Sequence, residues 1–299
     1  MEKNDAQLIQ AQAIESDLSS LQKLTLGISI FIILTLAFYF APLDIGFDWS
    51  VIIRGSQRLL NGEEVYQKVD LYYGYYYAPW LTTLLAPISV LPNQLTFAML
   101  NAITLLGTVI LAFRFRLGLI KTLLLVTSPP IFYSLILGQV DILVLLFIFL
   151  PKELWAISAL TKPQTTLGFG FALLNYPHRW IRTIIISVGI VGISFLIFGN
   201  WPMKILAQQY AEQNVSAGHN IFGGLWPFQL VIGLGLLSVA FDREDERIYI
   251  AASPFLMPYA STSSFIGTLL TAFSMIRHWQ ATIIWLAWWG GIVYRGLGL

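Results

Sequence analysis

The sequence predicts an all-α, polytopic membrane protein. Of its 299 residues 57% are hydrophobic and only 11% charged, against about 25% charged in a soluble domain. Mean hydropathy is +0.71. The apolar residues gather in long runs separated by short basic turns, the pattern of helices crossing a bilayer. The formal net charge of +1 gives no basic face for nucleic acid, so no nucleic-acid partner is expected. There is no cysteine, which excludes disulfides and thiol catalysis. The aromatic content, with Trp 10, Tyr 13 and Phe 20, suits interfacial belts and packing.

The elements follow in order. Residues 1–23 are polar and mixed in charge, with Leu8, Ile9, Ile14, Leu18 and Leu21 at loose helical spacing; they read as a cytosolic or interfacial segment without a signal-peptide pattern. Residues 24–299 read as a single transmembrane domain. Leu24 to Leu43 is uncharged and long enough to span, since roughly 20 apolar residues cross a bilayer. An outer loop over 44–78 follows. It holds Asp44, Asp48 and Trp49, an amphipathic run from Ser50 to Leu60, Asn61-Gly62 and the tyrosines at 72 to 77. Ala78 to Leu91 carries Pro79 and Pro87 and reads as a segment that does not fully cross.

Asn93 to Phe113 spans. Thr122 to Pro151 reads as two helices joined near Gly138-Gln139, and Leu154 to Leu174 is interrupted at Lys162-Pro163. Proline inside a membrane helix frees a carbonyl, which is tolerated where the break lines a cavity. Thr183 to Gly199 spans, and a polar loop with an amphipathic piece, Met203 to Val215, follows. Leu225 to Phe241, a broken run from Ile248 to Ile276, and Ala281 to Val293 complete the chain, for about ten membrane segments in all. The basic turns at Arg114–Lys121, Lys152, Arg179–Arg182, Arg243–Arg247 and Arg277 mark the cytoplasmic side. The loops holding Asp48, Gly138-Gln139, His219 and Pro254–Ser264 then face out, which makes the chain a multi-pass cell-membrane protein with its site on the outer face.

The residues Asp48-Trp49, Arg54, Leu59-Leu60-Asn61-Gly62 and Val65-Tyr66 come first in a series. Tyr77-Ala78-Pro79, Pro87 with Leu91-Pro92, Pro129-Pro130 with Gly138-Gln139-Val140-Asp141, Thr161-Lys162-Pro163, and Ser253-Pro254 with Pro258-Tyr259 complete it in order. The series resembles the polyprenol-phosphate-mannose-dependent glycosyltransferases of family 87, which have the GT-C fold, over roughly Asp48 to Ser264. The resemblance implies a GT-C-like helical bundle. It implies transfer of a hexose, mannose first among them, from a polyprenyl-phosphate sugar donor to a lipid or glycan acceptor. The chain departs from the family pattern in three places. Ala78 stands where Tyr-Pro-Pro is usual, Asp141 where asparagine is usual, and no histidine follows Ser253-Pro254.

The chemistry assigns roles. A lipid-linked sugar has its reactive carbon at headgroup depth, and Asp48, just past the first helix, is the expected catalytic base. The leaving phosphate needs a cation. Arg54 and Arg58, an i,i+4 pair near Asp48, and Lys162 at its proline break are the expected donor-phosphate ligands. Trp49, Tyr77, Gln139, Asp141, His219, Asn220 and Tyr259 are expected to line the substrate cavity. No metal and no cofactor is expected, because no cluster of ligand type is visible.

Each residue also has a structural reading. Asp48 would cap the helix after it. The arginines and Lys162 would snorkel to headgroups. Gln139 would satisfy backbone freed at a break, and Asp141 would start a helix. His219 would be a solvated loop residue and the tyrosines belt residues. Two other functional classes stay open from sequence: a lipid or sugar transporter or flippase, and a catalytically silent scaffold of the same fold.

Overall fold

The computed structural model describes residues 20–66, 74–211 and 220–296. These residues are all-helical, with no strand among them. Residues 1–19, the tyrosines at 72 and 73, the end of the amphipathic piece near 215, and His219 lie outside the described residues.

The first helix, α1 (Ser20–Phe40), starts four residues before the expected span and takes in part of the segment read as polar. α2 (Phe47–Leu60) follows a short connection. α3 (Pro79–Leu85) continues into a 3-10 turn, Ala86–Val90. α4 (Asn93–Arg114) is the long central helix. α5 (Leu119–Val126) and α6 (Pro129–Leu137) are bent by 43° at the residues between them. α7 (Asp141–Leu145), α8 (Trp155–Thr161) and α9 (Pro163–Ala172) are short. α10 (Trp180–Phe198), α11 (Trp201–Ala211), α12 (Leu230–Arg243), α13 (Glu246–Ala252), α14 (Ile266–Met275) and α15 (His278–Gly296) complete the chain.

Ten spans is an overestimate. Three helices among the described residues are long and apolar enough to cross a membrane, Leu21–Phe40, Asn93–Arg114 and Pro177–Phe198, or four if the bent pair α5–α6 is one span. The reason is local. Pro129, Pro163 and Pro254 each begin or interrupt a helix, so apolar runs that are continuous in composition are divided in structure. α15 has 19 residues, but Trp279, Trp285, Trp288, Trp289, His278 and Gln280 dilute its apolar character. Pro79–Val90 is apolar but short; its 12 residues rise about 18 Å, less than the roughly 30 Å of a hydrocarbon core.

The surface supports a membrane environment. On α1 Leu24, Ile33, Leu36 and Phe40 are exposed, and on α10 Ile181, Ile185, Val188 and Leu196 are exposed. A water-soluble monomer rarely shows such contiguous apolar surface. α4 is the buried axis: α1 packs along it, and Gly107 admits Ile142 of α7, whose methyl would lie 2.6 Å from any added Cβ.

α4 also separates two poles. Near its start Trp49 of α2 donates to Thr96, 3.1 Å away, and Gln57 donates to the Ser89 carbonyl at 3.0 Å. At its end Arg114 meets Glu246 at 3.8 Å, and Lys152 meets the same carboxylate at 2.6 Å. Arg179 pairs with Glu153 at 2.9 Å, and Lys121 donates to the Ile276 carbonyl at 2.7 Å. The basic turns therefore gather at one end of the molecule, with Asp48 at the other.

Candidate functional site

Two glycines set the site. α1 hands over to α2 through Asp44-Ile45-Gly46, and Gly46 caps α2 with Asp48 in the first turn, where the helix dipole favours a carboxylate. α6 ends at Gly138, left-handed with φ 71°, a conformation that side chains with a Cβ disfavour. Its amide and that of Gln139 both donate to the Ser134 carbonyl at 3.0 Å. A Cβ on Gly46 would lie 2.5 Å from the Leu137 carbonyl carbon, and one on Gly138 would lie 2.4 Å from the Trp49 Cβ. The two turns touch backbone to backbone, and the contact brings the Gln139 side chain onto Asp48.

From there polar groups run inward without interruption. Gln139 Nε2 donates to Asp48 Oδ2, and Lys162 Nζ donates to Gln139 Oε1. Lys162 Nζ also donates to Asp141 Oδ2 at 2.7 Å, and the Thr165 hydroxyl donates to Asp141 Oδ1. Lys162 reaches this position because it is the residue at the break between α8 and α9, with φ −145° and ψ 77°, followed by Pro163 in the first turn of α9. Asp141 is fully buried, Lys162 is 3% exposed and Gln139 8%, whereas Asp48 is half-buried. A buried ion pair is strongly unfavourable unless each charge is hydrogen-bonded, and among apolar helices it makes these residues the candidate site.

The scaffold holds the break in place. Trp80 Nε1 donates to Thr161 Oγ1 at 2.6 Å, tying α3 to α8. On α9, Gly168 lies against Tyr249 so closely that a Cβ would fall 1.8 Å from its carbonyl oxygen. The Gly168 amide donates to Ser253 Oγ at 2.9 Å.

Tyr77 and Tyr259 lie within electrostatic reach of the site. Burial raises both phenols, and the charges of Asp48 and then Asp141 raise them further; Tyr259 is pushed up to about 12. Both hydroxyls thus stay protonated within electrostatic reach of the two carboxylates. Tyr75, buried against Gly55 of α2, supports Tyr77 with ring centroids 5.8 Å apart, and the Tyr66 hydroxyl donates to the Tyr77 carbonyl at 3.0 Å.

Several expected site residues serve another purpose or stand off the Asp48 face. Trp49 is 1% exposed in the core beneath α2, so its ring packs the helix and meets no cavity. Arg58 pairs with Glu63 at 3.4 Å at the far end of α2. Arg54 is exposed, and six residues of helix turn it about 120° from Asp48, so the two do not share a face. Asn220 spends its amide on the backbone: it donates to the Pro258 carbonyl at 3.0 Å and accepts from the Ala260 and Phe222 amides at 3.3 and 3.2 Å. It therefore holds the loop that carries Tyr259. Lys162 is in the site, but it is 3% exposed, its charge is balanced by Asp141, and two of its three donors go to Asp141 and Gln139, so it is not an open phosphate seat. Asp48, Tyr77, Gln139, Asp141, Lys162 and Tyr259 do converge.

The sequence reading missed Thr165 and the contact between Gly46 and Gly138. Thr165 was within reach, because three residues past Lys162 at a helix start is one turn on the same face. A cleft of about 500 Å³ opens at the other end of α2, lined among others by Glu63, Glu64, Tyr66, Phe198 and Lys204. No group of three or more metal-ligand side chains occurs among the described residues.

No family model, curated protein or solved structure matches the chain. What the fold and site define is a helical protein with several helices long and apolar enough to cross a membrane and a buried Lys–Asp pair reaching a half-buried carboxylate.

Proposed function

We propose that this protein is an integral membrane glycosyltransferase, with Asp48 as its general base. The observation that supports the reading is the hydrogen-bonded series Asp48–Gln139–Lys162–Asp141, which joins a half-buried carboxylate to a buried cation. Its substrates are a polyprenyl-phosphate hexose, mannose by the resemblance noted above, and a lipid or glycan hydroxyl on the outer face.

In the reaction Asp48 takes the proton of the acceptor hydroxyl as its oxygen attacks the anomeric carbon. The bond from that carbon to the phosphate oxygen breaks on the opposite face, and polyprenyl phosphate leaves with the electron pair. The configuration inverts. A carboxylate beside apolar side chains is a stronger base than one in water. Arg54, exposed one and a half turns along α2, is the cation offered to the leaving phosphate. Tyr77 and Tyr259 present neutral hydroxyls and ring faces to the sugar.

A second reading has one observation in its favour. Discontinuous helices with a buried ion pair at the break also build substrate sites in transporters, and the α8–α9 break carries Lys162 against Asp141. Purified protein in liposomes separates the two. Transfer of labelled hexose from a polyprenyl-phosphate donor to lipid or glycan acceptors is expected. Sugar or lipid flux without any such donor, and no transfer with it, would favour transport.

A further inference from the structure

We propose that Lys162 is a positioning residue for Asp48, acting through the side-chain amide of Gln139, with Asp141 as its fixed counter-charge. Lysine has donors only. Its ammonium therefore forces the atom of Gln139 that faces it to be the carbonyl oxygen Oε1. The other end of the amide, Nε2, is then left to face Asp48, and it donates to Oδ2. An amide donor stabilises a carboxylate more than the neutral acid, whose oxygens accept more weakly, so the orientation of Gln139 favours Asp48 in the state a base needs. Without Lys162 the amide can turn over and present an acceptor to Asp48, which would favour the protonated acid.

Asp141 completes the device. It is fully buried and has both oxygens engaged, Oδ2 by Lys162 at 2.7 Å and Oδ1 by the Thr165 hydroxyl. It cancels the lysine charge inside the protein and fixes its Nζ. The ionisable groups within electrostatic reach of Asp48 are the phenols of Tyr77 before α3 and Tyr259 in the loop after α13, while Asp44 ahead of α2 and Arg54 on α2 are exposed, Arg54 off the Asp48 face. The two phenols are neutral below pH 10, so they do not substitute for the amide as a switch on its charge. This assignment replaces the expectation that Lys162 binds the donor phosphate, and it explains a lysine that is 3% exposed at a helix break.

The inference deepens the transferase reading but does not need it for its test, which reads the Asp48 carboxylate directly. Isotope-edited infrared spectra of aspartate-labelled protein, with Asp48→Asn to identify the band, give its titration midpoint. Two double variants remove the charge pair without stranding a buried ion: Lys162→Met with Asp141→Leu, and Lys162→Gln with Asp141→Asn. Apolar replacement of a whole buried pair is tolerated far better than loss of one partner. In the first the midpoint is expected to rise by about one pH unit, and in the second by less. Gln139→Leu is expected to raise it as much as the first. In the transfer assay the same variants lower kcat and move its acid limb upward while donor KM holds. A wild-type protein with no transferase activity would remove that kinetic arm and leave the spectroscopic one standing. A midpoint that stays put in the folded double variants, with Gln139→Leu shifted, would overturn the role of Lys162.

Discussion

Gly46 and Gly138 abut: a Cβ on Gly46 would fall 2.6 Å from the Gly138 amide nitrogen. The contact joins two turns 92 residues apart, read from the numbering of the two glycines, and it is what sets Asp48 against Gln139. Substitution to alanine tests it. Gly138→Ala must adopt φ 71° and drive its methyl into Trp49, so a loss of more than about 2 kcal/mol is expected. Gly46→Ala meets only backbone and is expected to be as severe. Thermal unfolding in detergent measures both, and Gly62→Ala is the control, since it has positive φ but open space around it.

Loss of one member of the buried pair should be far worse than loss of both. Asp141→Asn alone leaves the Lys162 charge uncompensated among apolar helices, for a cost of about 3–5 kcal/mol. The double variants described above should recover most of it. Urea or thermal unfolding of the single and double variants gives the comparison.

The arginines of α2 should separate. Arg58 pairs with Glu63 at the far end of α2; Arg58→Gln is expected to leave donor KM nearly unchanged. Arg54→Gln should raise donor KM about tenfold, the effect of losing one charged hydrogen bond. Equal effects of the two would contradict the assignment of the phosphate to Arg54.

How far the sequence reaches can be argued residue by residue. The membrane class is legible in composition, and the exposed apolar residues of α1 and α10 agree with it. Lys162 at a proline break and Asp48 after the first helix are visible as charges in costly places. The number of spans is not visible in composition: the prolines at 129 and 163 can be read, but not the angle at which the pieces on either side of them meet. Nor is the Asp48–Gln139 contact visible, because it depends on two glycines meeting across the fold. Trp49 was expected in the cavity because it stands next to the candidate base, whereas its indole donates to Thr96 in the core.

Two titrations have a definite sign. The Tyr259 phenol is raised to about 12, first by burial, above its value near 10 in an unfolded chain. The unfolded state therefore loses its proton first, and stability should fall between about pH 10 and 12. Tyr259→Phe should remove that part of the fall. Asp245 lies in the turn before α13 and is held below the usual aspartate range, chiefly by its hydrogen bonds from Arg247. It contributes stability above the unfolded value, lost as pH falls through the lower folded one. Its side chain also caps α13 by accepting from the Arg247 amide at 3.0 Å. Asp245→Ala should therefore cost about 1 kcal/mol at neutral pH and less in acid.

The most direct test concerns Asp48 itself. Wild-type protein and Asp48→Asn, reconstituted at equal amounts, are given a labelled polyprenyl-phosphate hexose and a lipid acceptor. Asparagine keeps the shape of the side chain and cannot take a proton, so transfer should fall by a factor of about 100 to 10,000 with donor binding intact. Transfer by Asp48→Asn at the wild-type rate would contradict the account at its centre.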